Sequence, residues 1–339
     1  MDRRLIELGT PAALILADHR PEPNPHVFFR GRASSLGEEV PRQILEVIAG
    51  PNREPFQHGS GRLELAQAIA SADNPLTARV LVNRLWQHHF GSGLVKTPSD
   101  FGLRAEKPSH PELLDWLARH FMAARWSLKE MHRLILSSAV YQQTSTVSSN
   151  REIEFIARTD PDNRLLSHFP NHRLEFEQLR DAMLAAGGEL NLAMGGQPVD
   201  VLELRNARRT VYALVDRQFL PGTFRTFDFA NPDIHVAVRH ETTVPQQALF
   251  FLNGTFAAHC AQVLGRRVAD TTASAERVQR LHQVLYQRHA TPEEVAAALQ
   301  FISTAEADLP PSATPVPVTP WRYGAVSYTH LTLPTNREV

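Results

Sequence analysis

Apolar residues recur at helical spacing along most of the chain, and the recurrence is cleanest between Asn74 and Tyr141. Asn74-Pro75 opens a helix, with asparagine as cap and proline at the first helical position, where its missing N–H costs nothing. Leu76, Val80, Leu81, Leu85 and Phe90 give that helix apolar faces, and Gly91 closes it as a left-handed cap. Ser109-His110-Pro111-Glu112 reads as a capping box, followed at helical spacing by Leu113, Trp116, Leu117 and Phe121. Ser127-Leu128-Lys129-Glu130 repeats the device ahead of Met131, Leu134, Ile135 and Ala139. Each helix has an apolar face it cannot leave in water, so the three are expected to pack on one another.

On either side of this block the pattern is more broken. Prolines at 11, 21, 23, 25, 41, 51 and 55 end every short apolar run, so residues 1–60 read as an irregular lead-in. It holds a short strand at His26–Gly31 and a short helix around Pro41 to Ala49, and a further helix runs from about Arg62 to Ser71. Downstream, Asp160-Pro161-Asp162-Asn163 is a turn, and Arg173 to Ala186 is a helix stopped by Gly187-Gly188. Arg209 to Asp216 alternates Val211, Ala213 and Val215 with Tyr212 and Leu214, the clearest strand signal in the chain. Thr243-Val244-Pro245-Gln246 is a third capping box. The run Ala248 to Leu252 behind it has no polar face, so this helix is expected to be central and to end at Asn253-Gly254. Helices near Phe256–Arg267 and Ala275–Arg288 follow, and Thr291-Pro292-Glu293-Glu294 caps a last one to about Ala305.

The expected fold class is therefore mainly α, a multi-helix orthogonal bundle with short β-strands around 26–31 and 209–216, its helical domain spanning 61–307. Five prolines between Leu309 and Pro320 mark an extended linker, so residues 308–325 read as that linker and the start of a truncated extension.

Composition narrows the partners. The 339 residues are 42% hydrophobic, enough for a real core. Thirty-five basic against 36 acidic residues, net charge -1, argue against recruitment by bulk charge to nucleic acid or an anionic membrane. One cysteine, Cys260, excludes an intramolecular disulfide, a thiolate zinc cluster and haem attachment through paired cysteines. No apolar run approaches the roughly 18–20 residues of a membrane span, and Met1 to Ala17 lacks the apolar core of a signal peptide. Sixteen histidines raise the question of a metal. None falls in a His-Glu-x-x-His arrangement, and Pro170 separates His168 from His172. They read as surface or cap histidines, the alternative being a metal site assembled from distant positions.

Two regions carry candidate chemistry. Arg79, Asn83 and Trp86 stack at i, i+4 and i+7, either as a polar face lining a cleft or as a seam in which Arg79 and Asn83 bond loop carbonyls over Trp86. Phe219, Phe224, Phe227 and Phe229 interleave with Arg225, Asp228 and Asp233, as packed core rings or as a sugar- or single-strand-binding surface. Asp228 and Asp233 read as turn formers, the alternative being a shared hard cation. With His235, Arg239 and Glu241 they complete the candidate cleft residues. A glycan-acting hydrolase or lyase would draw its acid and base from Asp228, Asp233, His235 and Glu241, and a metal reading would use His235 or His240. The bland reading is a helical interaction module in which the same residues are paired and buried.

Long ordered strings identify a family likeness. They are Phe29-Arg30-Gly31 with Gly37-Glu38; Asn74-Pro75-Leu76-Thr77-Ala78-Arg79-Val80 with Asn83-Arg84 and Trp86; Asp100-Phe101-Gly102; and Ser109-His110-Pro111-Glu112. Further on come Phe227-Asp228, Thr242-Thr243-Val244-Pro245-Gln246-Gln247-Ala248-Leu249 and Asn253. Over about His26 to Gly324 the chain resembles the cytochrome-associated domain of unknown function, the PSD domain, described from planctomycetes and their relatives. That resemblance implies a C-terminal domain of a larger exported protein, behind a second uncharacterised domain and often a c-type cytochrome-like one. The chain is thus expected to be a fragment lacking those upstream domains, with no cofactor of its own and haem only on an upstream domain. Its expected partners are those domains, and other envelope proteins or polysaccharide, in the periplasm or cell envelope. No catalytic residues are established for the family, so none carry over. Val326-Ser327-Tyr328-Thr329-His330-Leu331 matches one translated frame of a transposon end used in sequencing libraries, so residues 326–339 are expected to be an artefact.

Overall fold

Residues 23–147, 149–269 and 273–307 are described by the computed structural model of the chain. The lead-in before residue 23, the proline-rich linker and the tail from 326 lie outside them. Among the described residues the fold is mainly α, thirteen α-helices accompanying a single two-stranded sheet. The chain divides into two compact units, Met1–Asn171 and His172–Val339, and the stretch 61–307 contributes to both.

In the first unit the strand expected at His26 reaches only Phe28. β1 (His26–Phe28) pairs antiparallel with β2 (Leu36–Glu39), and a 3-10 turn at Phe29–Gly31, with Arg30 at φ 51°, ends it. α1 (Glu46–Ala49) and α2 (Arg62–Ala70) follow. α3 (Thr77–Phe90) begins later than Asn74-Pro75 suggests, because the Asn74 side chain is used ahead of the helix. Its Oδ1 accepts from the Leu76 N–H at 2.9 Å and its Nδ2 donates to the Ala68 carbonyl. Gly91, at φ 78°, ends α3 with its N–H on the Gln87 carbonyl.

α4 (Pro111–Ala123) starts on its proline without the expected capping box, since the Ser109 hydroxyl turns to the His110 ring. At α5 (Leu128–Leu136) Ser127 does accept from the Glu130 N–H. α6 (Ala139–Gln142), capped by Ser138, and α7 (Asn150–Thr159) complete the unit. The core joins Val82, Trp86 and Phe90 of α3, Leu114, Leu117 and Phe121 of α4, and Met131 and Ile135 of α5 to Leu94 and Val95 of the connecting loop. Burying side chains of this size stabilises by about 1.5–3 kcal/mol each. Leu81 and Trp116, expected on apolar faces, are exposed instead. The buried stripe of α3 runs through Ala78, Val82, Asn83, Trp86 and Phe90, so it contains a polar side chain.

The second unit begins with α8 (Phe176–Gly187). Gly188, at φ 80°, stops it: the Gly188 N–H bonds the Ala185 carbonyl and the Glu189 N–H bonds that of Leu184. α9 (Gly222–Thr226), α10 (Pro245–Asn253), α11 (Thr255–Arg267), α12 (Ser274–Tyr286) and α13 (Pro292–Ala307) follow. Phe176, Leu179, Phe224, Phe227 and Phe251 close the core around Val201 and Ala257. The rings of Phe176 and Phe227 lie 4.9 Å apart, and those of Phe227 and Phe251 5.6 Å. Phe224 and Phe227, with the half-buried Phe229 packed on them, are thus core side chains, while Phe219 is exposed.

Two expectations need correction here. α10 is not buried all round, for Leu249 is 48% exposed while Gln247 is only 2% exposed. Its cap is also displaced by one residue, the Val244 N–H donating to Gln247 Oε1 at 3.4 Å. Second, Arg209 to Asp216 forms no strand. Thr210–Tyr212 is a 3-10 turn, and Ala213 makes a lone bridge to Val199. The reason is a side chain: Arg180 of α8 takes the Arg208 and Asn206 carbonyls, and Asp181 holds the Thr210 N–H at 2.8 Å, so these backbone groups are satisfied without a ladder.

The last box forms in full. The Thr291 N–H donates to Glu294 Oε2 at 2.8 Å, and the Glu294 N–H to Thr291 Oγ1 at 3.3 Å. The Arg288 guanidinium and the Thr291 N–H hold the Glu294 carboxyl down at about 2. Among the described residues no single helix is long and apolar enough to cross a membrane. The pair α10 and α11, bent by 51°, reaches that length together, with Phe251, Phe256 and Cys260 buried in the unit.

Candidate functional site

The candidate residues are distributed over both units, Arg79 and Asn83 in the first and the other five in the second. On α3, Asn83 is fully buried and closes a loop: its Oδ1 accepts from the Val95 N–H at 2.8 Å and its Nδ2 donates to the Val95 carbonyl at 3.0 Å. A backbone group pair is satisfied by one amide, which is what a buried polar residue in an apolar stripe usually does. Arg79 reaches across to α4, where its Nε donates to Asp115 Oδ1 at 2.6 Å while Nη1 takes the Pro75 carbonyl. The bond from Arg79 and then its charge, with that of Arg119, hold the Asp115 carboxyl below its ordinary range. A cleft of about 210 Å³ opens here, lined by Asn74, Pro75, Arg79, Asp115, Arg119 and Met122.

In the second unit Asp228 sits at φ 57°, a left-handed conformation that aspartate tolerates better than most residues. Both carboxylate oxygens are on Thr242: Oδ2 accepts from its N–H at 2.8 Å, and its hydroxyl lies 2.9 Å from each. Asp228 and Thr242 therefore close the neck of the loop 229–241. Arg239, within that loop, forms a fork on Glu177 at 2.7 and 3.0 Å, approaches Glu175 at 3.3 Å and lies 4.7 Å over the Phe229 ring. Burial opposes the Arg239 charge, but the bond to Glu177 and the two carboxylates outweigh it, so its proton is held more firmly than usual. Asp233 pairs with Arg217 at 3.1 Å on the surface, and His235 and Glu241 are exposed. The structure thus ties Asp228 and Arg239 into the neck and base of one loop and leaves Asp233, His235 and Glu241 on its outside.

Sequence reasoning missed what anchors this loop. Arg173 Nη1 bonds the Thr242 carbonyl and Gln247 Oε1, and Gln247 Nε2 bonds the Thr226 carbonyl, so α8, α9 and α10 are joined by their polar ends. It also missed Arg180, 2% exposed, whose guanidinium takes the Val201, Asn206 and Arg208 carbonyls and the Thr210 hydroxyl. Gln247 lies inside a recognisable string, whereas nothing local distinguishes Arg180 from a surface arginine.

Two larger cavities lie elsewhere. One of about 640 Å³ borders Glu106, Lys107 and Arg164, and one of about 650 Å³ lies between α8 and α12 beside Arg267. Neither is lined by Asp228, Asp233, His235 or Glu241. Among the described residues no group of three or more histidine, cysteine or acidic side chains is placed to hold a metal ion. Cys260 is buried against α8, and burial, then the Glu189 charge, pushes its thiol up to about 12. At pH 8 it should therefore react with a maleimide about a thousandfold more slowly in the native chain than in denaturant. Equal rates would show that the thiol is not enclosed.

A family model described as PSD1, protein of unknown function (DUF1553), matches residues 61–302. No curated protein and no solved structure matches the chain.

Proposed function

The chain belongs to the PSD1 family of proteins of unknown function (DUF1553), and on that footing we propose that it acts as a helical interaction module of a larger exported bacterial protein. The observation that carries this reading is the engagement of Asp228, whose two oxygens are both on Thr242. A glycosidase needs two carboxyl groups facing each other across the bond to be cut, about 5–10 Å apart. Here Asp228 closes a loop and Asp233 pairs with Arg217, so two of the four groups from which the glycan-acting alternative would draw its acid and base are engaged in holding the fold. The hairpin and α2 supply contact surface instead: Phe28 and Leu36, paired across the hairpin, and Phe29 and Leu63 are each more than half exposed, and exposed apolar side chains of this size commonly mark docking faces. The proposed partners are the cytochrome-like and other domains that longer proteins of this kind carry, or neighbouring envelope proteins and polysaccharide, in the periplasm or cell envelope.

The test is site-specific photo-cross-linking in the native host from positions 29 and 63, which should give a discrete adduct with another envelope polypeptide. Asp228→Ala should lower stability by about 1–3 kcal/mol, from the lost charged hydrogen bonds, and leave glycan turnover unchanged. Absence of any adduct, together with glycan hydrolysis by the purified chain that Asp228→Ala abolishes, would replace the interaction reading with the enzymatic one.

A further inference from the structure

The cleft between the start of α3 and the middle of α4 holds more positive charge than its structural bonds use. Arg79 is fixed in plane by two contacts, Nε on Asp115 and Nη1 on the Pro75 carbonyl. Arg79 lines the cleft, and among the described residues its Nη2 makes no hydrogen bond. Arg119 lies one helical turn after Asp115 on the same face of α4, borders the cleft and is exposed. Among the described residues it makes neither a hydrogen bond nor an ion pair, although its charge helps hold the Asp115 carboxyl down. Two guanidinium groups thus stand beside one carboxylate, whose bond from Arg79 is on Oδ1 and whose Oδ2 accepts no hydrogen bond among the described residues.

The rest of the wall does not compete for a ligand. Asn74 is 8% exposed, with both ends of its amide on the Leu76 N–H and the Ala68 carbonyl. Pro75, Met122 and two alanines of α3 and α4 supply a floor of carbon. The volume of about 210 Å³ is below the range of about 300–1,000 Å³ typical of drug-sized sites and suits a ligand of about a dozen heavy atoms. Paired guanidinium groups select a planar oxyanion, above all a carboxylate. A neighbouring carboxylate oxygen selects a hydroxyl donor and rejects a second negative charge.

We propose that this cleft binds a small polyhydroxylated monocarboxylate of the sugar-acid class, its carboxylate between Arg79 and Arg119 and a hydroxyl donated to Asp115. The proposal stands apart from the interaction reading, since it rests on other residues and needs no macromolecular partner.

The experiment is a titration of the isotope-labelled full chain, followed by amide NMR, with sodium glucuronate, glucose and inorganic phosphate in parallel. Glucuronate should bind saturably in the millimolar range, as expected for so few contacts, and should shift amides around residues 74–79 and 115–122. Glucose should leave those amides in place, and phosphate should bind more weakly, because it is tetrahedral and its second negative charge meets the Asp115 carboxylate. Arg119→Gln, which breaks no internal bond, should weaken glucuronate by about tenfold through loss of one charged donor pair. Met122→Trp, which fills the cleft, should abolish binding while the remaining spectrum is retained. The idea is overturned if glucuronate gives no saturation by about 50 mM, if glucose or phosphate matches it, or if Arg119→Gln binds as tightly as the parent.

Discussion

Asn83→Ala should cost the first unit about 3 kcal/mol, a large share of the roughly 5–15 kcal/mol that holds an ordinary domain together. The loss has two parts. The Val95 N–H and carbonyl, on a residue 2% exposed, would both be left without a partner inside the core, and each buried orphan costs about 1–3 kcal/mol. A small void beside Trp86 and Leu94 would add to this. Gly93→Ala should be comparably severe for a different reason. Gly93 does not use a left-handed conformation, but a Cβ there would stand 2.6 Å from the Val95 carbonyl oxygen and 2.7 Å from the Asn83 amide nitrogen. Its smallness is therefore a matter of space around the Asn83 bond. The pair Asn83→Ala with Gly93→Ala should cost less than the sum of the two, because removing the amide makes part of the room the new methyl group needs. Urea denaturation of the four proteins measures this directly, and an Asn83→Ala loss under about 0.5 kcal/mol would show that water or backbone movement satisfies Val95 instead.

How far the fold could be read from the chain depended on whether the determining interaction was local. Helix positions were legible because each start and stop is decided within four residues, as at Gly91, Gly188 and the Thr291–Glu294 box. The buried face of α3 was not, because Asn83 is polar in sequence and becomes interior only when Val95 returns its backbone twelve residues later. The capping box at Ser109 failed for a local reason that sequence does not show, the hydroxyl having a second partner in the adjacent His110 ring. At the candidate sites the residue types were legible and their engagements were not. Asp228 read as a turn former, with cation ligand and catalytic acid as alternatives, and the engagement that decides rests on Thr242, fourteen residues away. Arg79 pairs with Asp115 over a separation of 36 residues, so the polar face at Arg79 was legible and the carboxylate across the cleft was not.

The strand expected at Arg209 to Asp216 leads to the second large effect, because the side chain that displaces it is Arg180. Arg180→Met should destabilise the second unit by about 3–5 kcal/mol, the range found when one partner of a buried charged network is removed. Methionine fills similar space and relieves the desolvation that lowers the proton affinity of this guanidinium, so part of the loss is offset. What it cannot replace are donors for the carbonyls of Val201, Asn206 and Arg208. Those three acceptors hold residues 201–210 against α8, and the Thr210 hydroxyl, which accepts from Arg180 and donates to Asp181, belongs to the same set. Arg180→Lys should recover little, since one ammonium on a flexible stem cannot reach four acceptors spread around a planar fork. The readout is hydrogen exchange of the Leu214 and Val199 amides, which bond across the bridge at Val199 and Ala213. In Arg180→Met both should exchange far faster than in the parent, while the Gly188 and Glu189 amides at the end of α8, whose acceptors lie in the helix itself, change less. Unchanged protection at Leu214 and Val199 would mean that the turn at Thr210 holds this segment without the arginine, and the strand pattern of residues 209–216 would then need a different explanation for its absence.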